Sequence, residues 1–225
     1  MAQQERAVRT RAAIVRAAAE VFGDIGYEVA TIADILKLAG VTKGALYFHF
    51  ASKRELAQAV LDEQVHAVPE LPHEPIHLQL LFDQGMLLAH LLKSDPLVRG
   101  SVRLTIERGG HEGPDRRGPY LRWAEVTGAQ LERARASGEL LPHADVEQVA
   151  QLIVGAFAGV QGMSQALTNY DDVAERAAVL YQSVLPAVAV PSVLGRLDLR
   201  PDRGERVMER VLKEGGASDE LRSAS

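Results

Sequence analysis

Residues 40–55 read GVTKGALYFHFASKRE. The rings of Tyr47, Phe48, His49 and Phe50 crowd together with Lys43, Lys53 and Arg54. Rings usually go to cores and lysines to water. Such a mixture is either an awkward piece of core or a surface built to touch something. The local signals decide what shape carries it. Thr42 reads as an N-cap that opens a helix over 43–48, and Gly40 breaks the helix before it. Upstream, Thr31 with Asp34 reads as a capped start, and Ile32, Ile35 and Leu36 face inward. Downstream, Ser52 with Glu55 reads as a capping box that starts a helix over 53–67. Residues 7–22 put Ile14, Ala18, Val21 and Phe22 on one helical face, and Gly23 and Gly26 stop that helix. Helix, short helix, glycine turn, short helix is the helix-turn-helix pattern.

On a helix entered through Thr42, Ala45 and Leu46 turn inward, and Lys43, Gly44 and Tyr47 turn outward. The second helix of such a pair lies in the major groove with its first residues at the base edges. Lys43 suits guanine O6 or N7, and Gly44 lets the backbone come close. Thr42, Tyr47, His49 and Lys53 suit phosphate oxygens, as do the first amides of helix 53–67. Thr31 joins them as a candidate DNA contact. Phe48 and Phe50 are expected to anchor this helix to the next. The bland alternative is a three-helix cluster with a solvated lysine face.

Composition admits this reading. The chain has 225 residues, 47% hydrophobic and 24% charged, the balance of a globular protein. It has no cysteine, hence no disulfide and no thiolate metal site. No apolar run is long enough to span a membrane, and the polar N-terminus has no apolar signal core, so a cytoplasmic protein is expected. Residues 1–55 hold eight basic and six acidic side chains in a chain of net charge −5. That modest positive bias suits a polyanionic partner.

The rest of the chain also reads as helix. The stretch VPELPHEP at 68–75 is a linker, followed by helices over 76–93, 96–108, 117–137, 145–168 and 171–188. RGGHEGPDRRGP, residues 108–119, is a loop. The tail 215–225 is expected to be disordered. No strand pattern and no internal repeat occur. The expected fold is all-α: a helix-turn-helix domain over 1–52, a connecting helix 53–67, and a larger helical domain over 68–214. HEPIH at 73–77 matches a zinc pattern, but Pro75 keeps His73 and His77 off one helical face. No nucleophile, phosphate or dinucleotide motif appears. No catalytic residue, metal ligand or cofactor is assigned.

TIADILKLAGVTKGALYFHFASKREL, residues 31–56, resembles the DNA-binding domain of tetracycline-repressor-type (TetR family) regulators. Thr31, Ala33, Ala39, Gly40, Val41, Gly44, Tyr47, Phe50, Lys53 and Leu56 stand where that pattern puts such residues. A narrower resemblance runs over most of the chain. It rests on residues 6–32 and VTKGALYFHF, then DRRGPYLRW (115–123), GELLPHADVE (138–147), VGAFAGVQ (154–161) and LPAVAVPSVLGRLDL (185–199). These stretches are similar to the γ-butyrolactone autoregulator receptors of actinomycetes. The resemblance implies an all-helical homodimer that sits on a pseudo-palindromic operator and leaves it when a small lactone binds.

It also sorts ambiguous residues. Trp123, by itself a core tryptophan or a pocket wall, is implied to pack against ligand. Gln64, which by itself faces solvent or the second domain, is implied to line the pocket. Leu88, Phe157 and Gln161 are expected to complete the lining. Helices 145–168 and 171–188, apolar and rich in small residues, are implied to form the dimer's four-helix bundle. Two rival readings stay open: an orphan receptor for an antibiotic or butenolide, and an enzyme working in the second domain.

Overall fold

A computed structural model describes residues 2–64, 66–107 and 113–223, with side chains over 4–64, 66–107 and 113–214. The helices are α1 (Ala2–Ile25), α2 (Ile32–Ala39), α3 (Lys43–His49), α4 (Lys53–Glu63), α5 (His77–Ser94), α6 (Pro96–Ile106), α7 (Arg117–Ala136), α8 (Val146–Thr168), α9 (Val173–Val188), α10 (Pro191–Leu194) and α11 (Arg203–Ser223). Among the described residues there is no strand, only an isolated bridge between Leu140 and Ala189. The fold is all-α, as the periodicity implied. The expected loop 108–119 lies partly outside the described residues; 113–116 are irregular and α7 starts at Arg117.

The chain divides into two compact units, Met1–Ala67 with Ser94–Pro119, and Val68–Lys93 with Tyr120–Ser225. The first unit is larger than the 1–52 read from sequence, because α4 and α6 share its core. Ile14, Ala18 and Phe22 of α1 bury against Ile35, Leu46, Phe50, Leu56 and Val60, and Leu104 of α6 belongs to the same cluster. α1 packs on α2, α3, α4 and α6. Gly100 brings α6 down onto the backbone of α1: a Cβ there would overlap the carbonyl of Ala19. α4 is shorter than the expected 53–67. It ends at Glu63 with Gln64 as C-cap, and residue 65 lies outside the described residues.

The second unit is built around α5, apolar on nearly every side. Leu78, Phe82, Met86, Leu87 and Leu92 are fully buried. Tyr181 of α9 lies edge-on to Phe82 and over Gly85, where any side chain would collide with its ring. Burial pushes the Tyr181 phenol well above its usual range. The N-terminus of α5 is capped from a distance: the buried Glu139 carboxylate accepts from His77 N and Leu78 N, both at 2.9 Å. α8 turns into α9 through Asn169 and Tyr170, both in the left-handed region.

Two helices, α10 and α11, were not expected from sequence. α11 runs on to Ser223, and residues 224–225 lie outside the described residues. Gly204 in its first turn argues against a helix. Tertiary packing overrides that preference, since Gly204 sits against the backbone of Met86 with no room for a Cβ. Beside it Arg203 forks onto Asp83 of α5 at 2.7 and 2.8 Å, and Gln79 Nε2 donates to Asp83 Oδ1 at 2.7 Å.

Candidate nucleic-acid interface and ligand-binding residues

The helix pair forms from i to i+3 contacts. Thr31 Oγ1 accepts from Asp34 N, and the Asp34 carboxylate accepts from both Thr31 N and Thr31 Oγ1. The Thr31 hydroxyl beside Asp34 holds that carboxyl below its ordinary range. Both donors of Thr31 therefore serve the cap. Thr31, a candidate DNA contact, stands exposed at the start of α2. Gly40 ends α2 at φ +64, the left-handed conformation glycine adopts without strain. Thr42 Oγ1 accepts from Ala45 N at 3.2 Å, which leaves its proton free to donate outward. Ser52 caps α4 through Glu55 N. The return bond from Glu55 reaches Ala51 N at 2.7 Å, so the box closes one residue earlier than expected.

α3 presents Lys43, Gly44, Tyr47 and Phe48 outward, while Leu46 and Phe50 are buried. Nothing lies within 4 Å of a Cβ built on Gly44, so the protein's own packing does not require a glycine there. Lys43 Nζ is 5.8 Å from the Tyr47 ring. His49 is half-buried between the rings of Phe48 and Phe50, at 5.0 and 6.3 Å. Phe48 corrects a sequence expectation: it is 80% exposed and anchors nothing. The helix ends at His49 and Phe50 takes extended backbone, so only Phe50 swings into the core.

Lys53, a candidate phosphate contact, is already engaged within the protein. Its ammonium donates to Tyr27 O at 2.7 Å and Ala30 O at 2.9 Å, and it lies 4.4 Å from the Tyr27 ring centroid. It holds the turn between α1 and α2. Arg54, passed over in the sequence, is exposed with no ion pair among the described residues.

Gln64 lies in the first unit, and Leu88, Trp123, Phe157 and Gln161 lie in the second. Gln64 is buried and its Oε1 has no donor. Leu88, Phe157 and Gln161 are buried, the last two one turn apart on the inner face of α8. Trp123 is half-buried with Nε1 enclosed and no acceptor. Sequence reasoning missed its neighbours on the same face of α7. Thr127 is buried, and Gln130 Oε1 is enclosed without a donor. The signal was their i+4 and i+7 spacing from Trp123. An enclosed polar atom without a partner costs about 1–3 kcal/mol, so these atoms favour a partner that supplies the missing bonds. Among the described residues no cluster of three or more metal-ligating side chains occurs.

On α8, Leu152, Gly155, Gly159 and Met163 recur every three to four residues and are exposed. Leu167 of α8 and Val179 of α9 are exposed as well. A Cβ on Gly155, Gly159 or Gly162 meets nothing within 4 Å. α8 packs on α9, so the pair leaves an apolar, small-residue stripe uncovered in the single chain. Phe157, expected in the ligand lining, is buried on the other, inner face of α8.

The comparisons with known proteins agree with this geometry. Residues 14–60 match the family described as "Bacterial regulatory proteins, tetR family". The chain is 40% identical to the A-factor receptor protein of Streptomyces griseus over 230 residues, which is 100% of this chain and 82% of that protein. It is similar to the crystal structure of TylP, a TetR regulator from Streptomyces fradiae. Identity is 50% and the TM-score 0.86, covering 92% of this chain and 99% of that one. A crystal structure described as a gamma-butyrolactone receptor (ArpA-like protein) is 27% identical with a TM-score of 0.62, covering 92% and 99%.

Proposed function

Because the chain belongs to the tetR family of bacterial regulatory proteins, a transcriptional repressor and not an enzyme, we propose that it holds operator DNA as a homodimer and lets go when a small γ-butyrolactone-type signal binds. In this reading Lys43 reads a guanine edge, and Gly44 admits the backbone to the groove. Thr42, Tyr47 and His49 contact phosphates, with Phe48 and Arg54 beside them. The uncovered stripe of α8 and α9 meets its own copy. A two-fold axis then sets two α3 helices about 34–36 Å apart, one turn of a pseudo-palindrome. No described helix is long and apolar enough to cross a membrane, and a cytoplasmic location follows from the need to reach DNA.

The observation that carries the ligand half is the Trp123 indole N–H, enclosed with no acceptor. Indole only donates, so the missing partner is an acceptor such as a lactone carbonyl. Gln161 suits a ligand hydroxyl, and Leu88 and Phe157 suit its alkyl chain. Similarity to an A-factor receptor and to a γ-butyrolactone receptor supports the same ligand class. The test is fluorescence anisotropy on a labelled duplex from upstream of the protein's own gene, titrated with A-factor-type lactones. Release is expected, with Trp123→Phe binding the duplex normally but needing at least about tenfold more lactone. A difference in lactone affinity of that size is about 1.4 kcal/mol, roughly one hydrogen bond. Release by a butenolide or antibiotic, and by no saturated γ-butyrolactone, would establish the orphan-receptor reading instead.

A further inference from the structure

The stretch that leads from the end of α1 into α2, residues 23–30, is gripped by charged side chains from two other helices of the first unit. From the last turn of α6, Arg103 Nη1 donates to Gly23 O at 2.7 Å and Asp24 O at 2.9 Å. These are end carbonyls of α1, which have no partner within their own helix. Arg103 Nε donates to Glu107 Oε1 at 2.9 Å, and Glu107 Oε2 accepts from Tyr27 N at 3.0 Å. From α4, Lys53 donates to Tyr27 O. One residue, Tyr27, thus gives its N–H to α6 and its C=O to α4. Gly26 makes room for the grip. It sits at φ +82, and a Cβ there would lie 2.5 Å from Glu107 Oε1 and 3.1 Å from Arg103 Nη2. Four residues after Tyr27 stands Thr31, the N-cap of α2, from which the helix pair is built.

We propose that Arg103 and Glu107 are positioning residues for operator recognition: they fix the 23–30 stretch, and through it α2 and α3, against α6. Neither touches DNA in this scheme, because the pair neutralises itself and is turned onto protein carbonyls and an amide. Their side chains are only 26% and 25% exposed. The scheme rests on operator binding alone and is independent of the ligand's identity. α6 is also the one segment of the first unit flanked in sequence on both sides by the second. The placement of the helix pair therefore depends on the segment whose two ends lead to the ligand-binding residues.

The experiment compares the full-length protein with Glu107→Ala, Arg103→Met and Arg103→Lys. Each is titrated against a duplex that the wild-type protein selects from a random pool, and against the unselected pool. Active fractions from stoichiometric titration correct every concentration. A purely structural defect lowers the active fraction and leaves the ratio of specific to non-specific affinity alone. Positioning lowers that ratio: at least tenfold is expected for Glu107→Ala and Arg103→Met. Binding to the unselected pool and its salt dependence should not change, since no phosphate contact is lost. Arg103→Lys keeps a charged donor for the Gly23 and Asp24 carbonyls but cannot also hold Glu107. It should lose part of the ratio, and it keeps the test decisive if either of the others fails to fold. An unchanged ratio in the variants that fold overturns the proposal, and so does a parallel loss on both DNAs.

Discussion

Replacing Lys53 by methionine keeps the stem of the side chain and removes its ammonium. In the structure that ammonium bridges Tyr27 O and Ala30 O, at 2.7 and 2.9 Å, and sits over the Tyr27 ring. Both residues are buried, so their carbonyls are poorly placed to recruit water in exchange. A hydrogen bond to a charged group contributes about 1.5–3 kcal/mol, and an accessible cation–π contact about 0.5–1. Lys53 itself is half-buried and regains hydration when released. The net loss should therefore be about 2–4 kcal/mol, a large share of the roughly 5–15 kcal/mol that holds a domain folded. The assay pairs urea unfolding, followed by helical circular dichroism, with operator affinity across a salt series. Stability should fall by that amount while the slope of log K against log salt stays put. A lost phosphate contact would instead flatten the slope by about 0.9, or about 1.8 for a dimer carrying two such lysines. Unchanged stability with a flattened slope would refute the structural role and restore the phosphate contact.

Lys43→Ala should weaken binding to the selected operator by about 1–3 kcal/mol and relax preference at one base pair, read by competition among single-base variants; equal loss on every sequence would show a phosphate contact instead. Gly159→Glu should give a folded monomer by light scattering and circular dichroism. Phe157→Glu, a charge in the interior, should unfold the second unit; a folded Phe157→Glu dimer would contradict the burial. Arg176, with Ser164 and Thr168, holds the Asp172 carboxyl well below its ordinary value of 3.8. A depressed folded-state value means its contribution is present above about pH 4 and is lost as acid protonates it. The wild type's stability, read by chemical denaturation, should fall below that pH, and Asp172→Asn should be less stable at pH 7 with a shallower decline in acid.

What could be read along the chain was what the chain settles within a few residues. Thr31, Thr42 and Ser52 cap helices through contacts three residues away, and Gly40 ends one through its own backbone angle. Ile14, Ala18 and Phe22 share a face because a helix repeats every 3.6 residues. These signals placed the helix pair and turned Lys43, Gly44 and Tyr47 outward, whatever the rest of the protein did. The roles that only tertiary structure decided all depend on distant partners. Lys53 meets carbonyls more than twenty residues upstream, and Glu139 caps a helix some sixty residues before it in sequence. Gly204 is tolerated in α11 because Met86 lies against it. Phe48 and Phe50 look alike in sequence, yet one is exposed and the other is core, because the helix ends between them. Trp123, Thr127 and Gln130 stood in plain sequence view. That the Trp123 indole N–H and Gln130 Oε1 are enclosed without partners, and that Thr127 is buried, depends on what packs around α7, and local propensity carries no record of that.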